Sequence, residues 1–199
     1  MKRHFQYHWW KYLLVVLLPI LLWCAVFDAA AKPKQNERLR VLFIGQGLDV
    51  QALQDDLSTR LSQMTGQRIK EITVSQTVTN GVPIGELLTA RQFSYDLVIL
   101  AADEMPDAVG QNFFAPLPAA LTDRLSQGTP YTETAEDEEI SYGFVLSEES
   151  RFSAYLTKQD GCIVFFSKES VNVAALNGKG NADDDAAICA AEFLLEESD

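Results

Sequence analysis

The chain has 199 residues and a net charge of −12, and residues 1–32 hold four of its sixteen basic groups against one of its twenty-eight acidic ones, so residues 33–199 carry −15. A segment that acidic repels nucleic acid and anionic lipid head groups, which excludes nucleic-acid binding as a function. The two histidines, His4 and His8, both precede residue 32, which removes Ser-His-Asp and Cys-His catalysis and His-ligated zinc from the rest of the chain.

The N-terminus predicts a membrane segment. Lys2, Arg3 and Lys11 lead into an apolar run from Leu13 to Phe27, 15 residues long, at the upper end for a signal peptide and short for a spanning helix. Ala29-Ala30-Ala31 before Lys32 suits signal cleavage. Trp9, Trp10 and Tyr12 suit an aromatic belt, and counting from Tyr12 to Ala31 extends the run to the length of a retained span. Trp23 before Cys24 argues against lipid attachment. Residues 1–31 are therefore a membrane anchor or signal peptide, with Met1 to Lys11 on the cytoplasmic side. The protein is expected at the cell membrane, single-pass with an extracytoplasmic C-terminal domain; cleavage near Ala31 gives the alternative, a secreted domain.

Residues 32–38 form a polar tether. The run Leu39 to Ile44 predicts a buried strand stopped by Gly45 and Gly47. Asp49 caps a helix with Val50, Leu53, Leu57, Leu61 and Met64 at helical spacing, ended by Gly66. Ile69 to Gln76 alternates as a strand. Residues 77–83 are a loop with Asn80-Gly81, 84–92 a short helix, and Leu97 to Leu100, led by Asp96, a second buried strand. A helix over 103–109, the loop 114–118 and a helix over 119–125 follow. This rhythm predicts an α/β fold: a three-layer, mostly parallel sheet with helices on both faces.

Beyond Gln127 the segment 129–140, with Glu133, Glu136, Asp137, Glu138 and Glu139, reads as a solvated acidic linker. Apolar runs at 142–146, 152–156 and 162–166 read as strands and 177–181 as loop. Asp183, Asp184 or Asp185 caps a final helix. Residues 39–199 then form one domain. Cys162 and Cys189 lie on the oxidising side, as a disulfide or as two buried thiols.

Parallel strands gather their C-terminal ends on one edge, where loops meet ligand. Candidate ligand-binding residues there are Gly45, Gln46, Gly47, Gln76, Asp103 and Glu104. Two glycines without a third are no dinucleotide fingerprint. Asp183 to Asp185 lack the spacing and distal Glu of a calcium loop. No metal site, cofactor or catalytic constellation is expected. A glycosidase is disfavoured because every tryptophan lies in the N-terminal segment.

Three pieces resemble an extracellular solute-binding protein of the kind that feeds ABC importers. They are Tyr95-Asp96-Leu97-Val98-Ile99-Leu100-Ala101-Ala102-Asp103-Glu104-Met105, then Phe114-Ala115-Pro116-Leu117, and finally Cys162 to Asn172, including Lys168 and Ser170, with Glu192-Phe193-Leu194-Leu195. The resemblance implies one lobe of a type 2 periplasmic-binding-protein fold, with the acidic linker where a second lobe would be inserted. It implies a non-catalytic module that binds a small solute or an ABC transporter component. The alternative is an accessory subunit of a membrane complex, with another membrane protein as partner and no small ligand.

Overall fold

The computed structural model describes residues 2–65, 68–91, 94–135, 138–157, 161–173, 176 and 185–197. The chain divides into two compact units, 1–34 and 35–199. The first is a single helix, α1 (Lys2–Ala31), interrupted only by Pro19 in its sequence. At 1.5 Å per residue it extends about 45 Å. Its apolar side chains from Leu13 to Phe27 are exposed wherever they are described, Trp23 lies against Phe27 with ring centroids 4.8 Å apart, and the Lys11 ammonium sits 5.6 Å over Trp10. Among the described residues no helix is long and apolar enough to cross a membrane.

The second unit is α/β. Its six strands are β1 (Arg38–Ile44), β2 (Glu71–Thr77), β3 (Leu97–Ala101), β4 (Thr129–Ala135), β5 (Glu138–Leu146) and β6 (Cys162–Phe166), in the order β2-β1-β3-β6-β5-β4. β1, β2 and β3 run parallel, while β6 is antiparallel to β3 and β5, and β4 is antiparallel to β5. The sheet is therefore mixed, which corrects the mostly parallel expectation. The parallel half comes from helix crossovers. β4 and β5 are separated by only residues 136 and 137, and so short a connection permits only antiparallel pairing.

Alternation along the strands covers both faces. Leu39, Val41 and Phe43 face a core formed with α2 (Val50–Met64), α5 (Ala119–Arg124) and α6 (Ala186–Leu195); Leu42 and Ile44 face a second core with α3 (Ile84–Arg91) and α4 (Val109–Phe113). α2 starts where expected, the Asp49 carboxylate accepting from Ala52 N at 3.1 Å. β2 and β4 are the edges. On β2 the Val74 N–H donates to Gln54 Oε1 at 3.2 Å, and on β4 the Thr134 carbonyl accepts from Gln111 Nε2 at 2.9 Å.

Three further expectations are corrected, and one, the cap of the last helix, is met in position only. The expected helix over 103–109 is a 3₁₀ turn, Ala102–Glu104, followed by α4 starting at Val109. Residues Arg151–Tyr155 form a 3₁₀ helix, not a strand, because this stretch crosses between strands instead of lying in the sheet. Asp185 stands at the N-cap of α6 without a side-chain capping bond; its carboxylate serves Arg124 at 3.2 Å and Arg68 at 3.5 Å. Asp183, Asp184, Gly66 and the loop 177–181 lie outside the described residues.

The last correction concerns the acidic linker 129–140, which is the β4–β5 hairpin. Alternate half-burial of Thr129 to Ala135 leaves a strand that is polar on one side, and such a pattern reads as linker when the partner strand is unseen. Glu133 is not solvated charge. Its carboxylate accepts from Gly110 N at 2.6 Å, Gln111 N at 3.0 Å and Tyr131 Oη at 3.0 Å, tying the first turn of α4 to the hairpin. Burial and this carboxylate push the Tyr131 phenol up to about 12. Glu133→Ala is expected to cost about 1–2 kcal/mol, the usual loss for removing an acceptor from a helix start. A urea midpoint measures the loss, and ultraviolet titration should show the Tyr131 phenol ionising at lower pH.

Candidate functional site

The C-terminal ends of β1, β2 and β3 meet as the parallel half requires, and Gly45 and Gln76 come together there. Gly45 N donates to Thr77 O at 3.1 Å, and Gln76 Nε2 donates to Gly45 O at 3.0 Å. Gly45 is buried, and a Cβ on it would stand 2.7 Å from the Phe43 ring and 3.2 Å from Ala101 Cβ. The glycine thus permits strand packing, the ordinary role of a residue that ends a buried strand. Gln46 and Asp103 are exposed. Glu104 shares the 3₁₀ turn with Asp103, and its side chain lies outside the described residues.

The segment that links β5 to β6 closes this edge. Thr157 donates to Gly47 O from both its N, at 2.7 Å, and its Oγ1, at 2.9 Å; Asp49 N donates to Tyr155 O at 2.8 Å. Leu48 and Leu156 form an antiparallel bridge, and Ala102 N donates to Gly161 O at 2.8 Å. Tyr155 Oη donates to Asp56 on α2 at 2.6 Å. Burial and that carboxylate raise the Tyr155 pKa above its ordinary value. Gly47, at φ +81°, packs against Thr157, which a Cβ would approach to 3.2 Å. Gly45 N, Gly45 O and Gly47 O are thus engaged by the chain itself, while Gln46 and Asp103 stay exposed.

The surface recesses described lie elsewhere. One of 210 Å³ is lined by Arg60, Met64, Arg124, Gln127, Glu192 and Glu196, and a shallower one of 500 Å³ shares Gln127 and Glu196 and adds Arg151. Their arginines are paired within the chain: Arg124 with Glu192 at 2.7 Å, and Arg60 and Arg151 both with Glu196, at 2.7 Å and 3.6 Å. A charged ligand would have to compete with these pairs. Cys162 and Cys189 are separate buried thiols, and burial with Asp185 and Glu192 pushes the Cys189 thiol up to about 11. Among the described residues no group of His, Cys, Asp and Glu is placed to hold a metal ion.

A polar centre that sequence reasoning did not assign lies at the opposite rim. Asp96, at the entry to β3, is buried. Its Oδ1 accepts from Ser170 Oγ at 2.5 Å and Asn172 Nδ2 at 3.1 Å, and its Oδ2 accepts from Arg40 N at 2.8 Å. Asn172 also donates to Arg38 O at 2.7 Å, so the turn after β6 is fastened to the starts of β1 and β3. Burial raises the carboxyl above its usual range, and the bonds from Ser170, Arg40 and Asn172 oppose that rise. The available signal was an acid directly before an all-apolar strand, since such a carboxylate is buried with the strand and must find donors. The adjoining recess, lined by Arg38, Arg40, Ser94 and Asp96 among others, is only 20 Å³, about the room for one water.

Comparisons with protein-family models, curated proteins and solved structures find no match to this chain.

Proposed function

We propose that this protein is a non-catalytic extracytoplasmic module held at a membrane by α1, built like one lobe of a solute-binding protein, and that it works by contact with another membrane component. The occupied edge carries the choice of partner over solute: Thr157 takes Gly47 O, Tyr155 O takes Asp49 N and Gly161 O takes Ala102 N. A solute-binding protein traps its ligand by closing two lobes, and one lobe alone offers a half-site.

Apolar exposure supports the anchor. Among the described residues, fourteen of the sixteen exposed large hydrophobic side chains lie on α1; the others are Met64 and Val82. A helix with so much apolar surface needs lipid or protein around it. The α1 sequence is uncharged from Tyr12 to Phe27. The strand order supports the one-lobe comparison. A chain that leaves a lobe after β5 and returns as β6 between β3 and β5 has this order, and the crossing is then at 147–161, not at the acidic hairpin.

Two measurements test this reading. The full chain should sediment with phosphatidylcholine vesicles, and residues 33–199 should stay in solution. Thermal unfolding of 33–199 should not respond to amino acids, sugars, peptides, polyamines or divalent cations. A ligand at a hundred times its Kd adds about 2.7 kcal/mol, a rise of about 5–10 °C for a domain of this size. A concentration-dependent rise of that order would restore a solute receptor, and a full chain left in solution would remove the anchor.

A further inference from the structure

We propose that Asn80-Gly81 is a site of spontaneous deamidation in the folded protein. The pair forms the two central residues of a turn between β2 and α3, both left-handed (φ +43° and +81°), and Val82 N donates to Thr79 O across it at 2.7 Å. Asn-Gly suits such a turn because asparagine tolerates this backbone region and glycine adopts it freely.

The same two residues are suited to cyclisation. Both are exposed, and a Cβ on Gly81 would meet nothing within 4 Å. Among the described residues neither the Asn80 carboxamide nor the Gly81 N–H has a hydrogen-bond partner. The electrophile and the nucleophile are therefore both free, and no side chain on residue 81 shields the attack. Loss of the Gly81 amide proton lets its nitrogen form a bond to Asn80 Cγ. The bond from Cγ to the side-chain nitrogen breaks, and that nitrogen leaves as ammonia with the proton. Water then opens the five-membered imide at either carbonyl, giving aspartate or isoaspartate. No electrons are transferred, and the only co-reactant is water.

The products differ in what they do to the fold. Both add a negative charge two residues after Val78 in a loop that leads to α3. Isoaspartate also routes the main chain through the former side chain, adding one backbone carbon to a tight turn. The resulting change falls four residues from Gln76, whose side chain holds Gly45 O.

The test follows the full chain at mildly alkaline pH, native and in denaturant, by peptide mapping and anion exchange. In the native protein the peptide containing Asn80 should gain the mass of oxygen for NH and split into aspartate and isoaspartate forms. It should do so an order of magnitude faster than the peptide with Asn112, whose follower Phe113 carries a bulky side chain. Asn80→Ser should abolish the corresponding acidic species. If Asn80 persists in the native protein while converting in denaturant, the turn protects it and the proposal fails. Asn177-Gly178, the other Asn-Gly pair in the sequence, is followed through its own peptide, and the proposal fails equally if Asn80→Ser leaves the acidic species undiminished once that peptide's share is subtracted.

Discussion

Asp96→Ala should be among the most damaging single substitutions in the domain, lowering stability by about 3–4 kcal/mol, because it leaves several buried donors without an acceptor at about 1–3 kcal/mol each before relaxation. Those donors are Arg40 N, Ser170 Oγ and the Asn172 carboxamide. The release of a buried charge offsets part of the loss, since burial already raises this carboxyl. Asp96→Asn separates the two effects. It keeps one acceptor oxygen and turns an amide toward a donor, so it should cost about half as much. Urea midpoints at unchanged m-value give both numbers. An Asp96→Ala protein as stable as the parent would show that the centre contributes nothing. The sign with pH follows from the raised carboxyl. The folded state holds its proton to higher pH than the unfolded state, so this group favours folding more below its folded pKa and the contribution is lost as pH rises through that value.

Gly143→Ala is the second large effect. Gly143 lies within β5, paired with Phe165 on one side and Tyr131 on the other. The two rings meet from either side, with centroids 5.6 Å apart and planes at 78°, and Phe114 stacks on Phe165 at 4.4 Å. A Cβ on Gly143 would stand 2.5 Å from the Val164 carbonyl oxygen and 3.0 Å from Phe165. A carbonyl fixed in a central strand cannot turn away as a flexible side chain does. The substitution should cost about 3 kcal/mol, the upper part of the range for overpacking. Near-ultraviolet circular dichroism should also change, because the Tyr131 and Phe165 rings must separate. A neutral result would mean that β5 and β6 can part without loss.

The elements that the sequence predicted well are those that are apolar throughout. Cys162 to Phe166 and Leu97 to Leu100 are buried on both faces, so no knowledge of neighbours was needed to recognise them. β4 is different. Its residues are half polar because it is an edge strand, and its strand character depends on β5. Phe152 and Tyr155 mark burial without specifying a strand, and the chain there forms a 3₁₀ helix. The position of β6 beside β3 was not readable, since strand order depends on crossings and not on local pattern. For the site, glycines at the end of β1 were recognised, but their contact with Thr157 links positions 110 residues apart. Asp96 and Ser170 are 74 residues apart and meet only in the fold, so their pairing could not be read from either stretch alone.

The glutamines at the two ends of the sheet bear on behaviour in company. A bare strand rim would let one copy extend the next into a ribbon. Gln54 takes up a rim donor at Val74, and Gln111 takes up a rim acceptor at Thr134. One backbone group on each rim is therefore already occupied within the chain and withheld from a neighbouring copy.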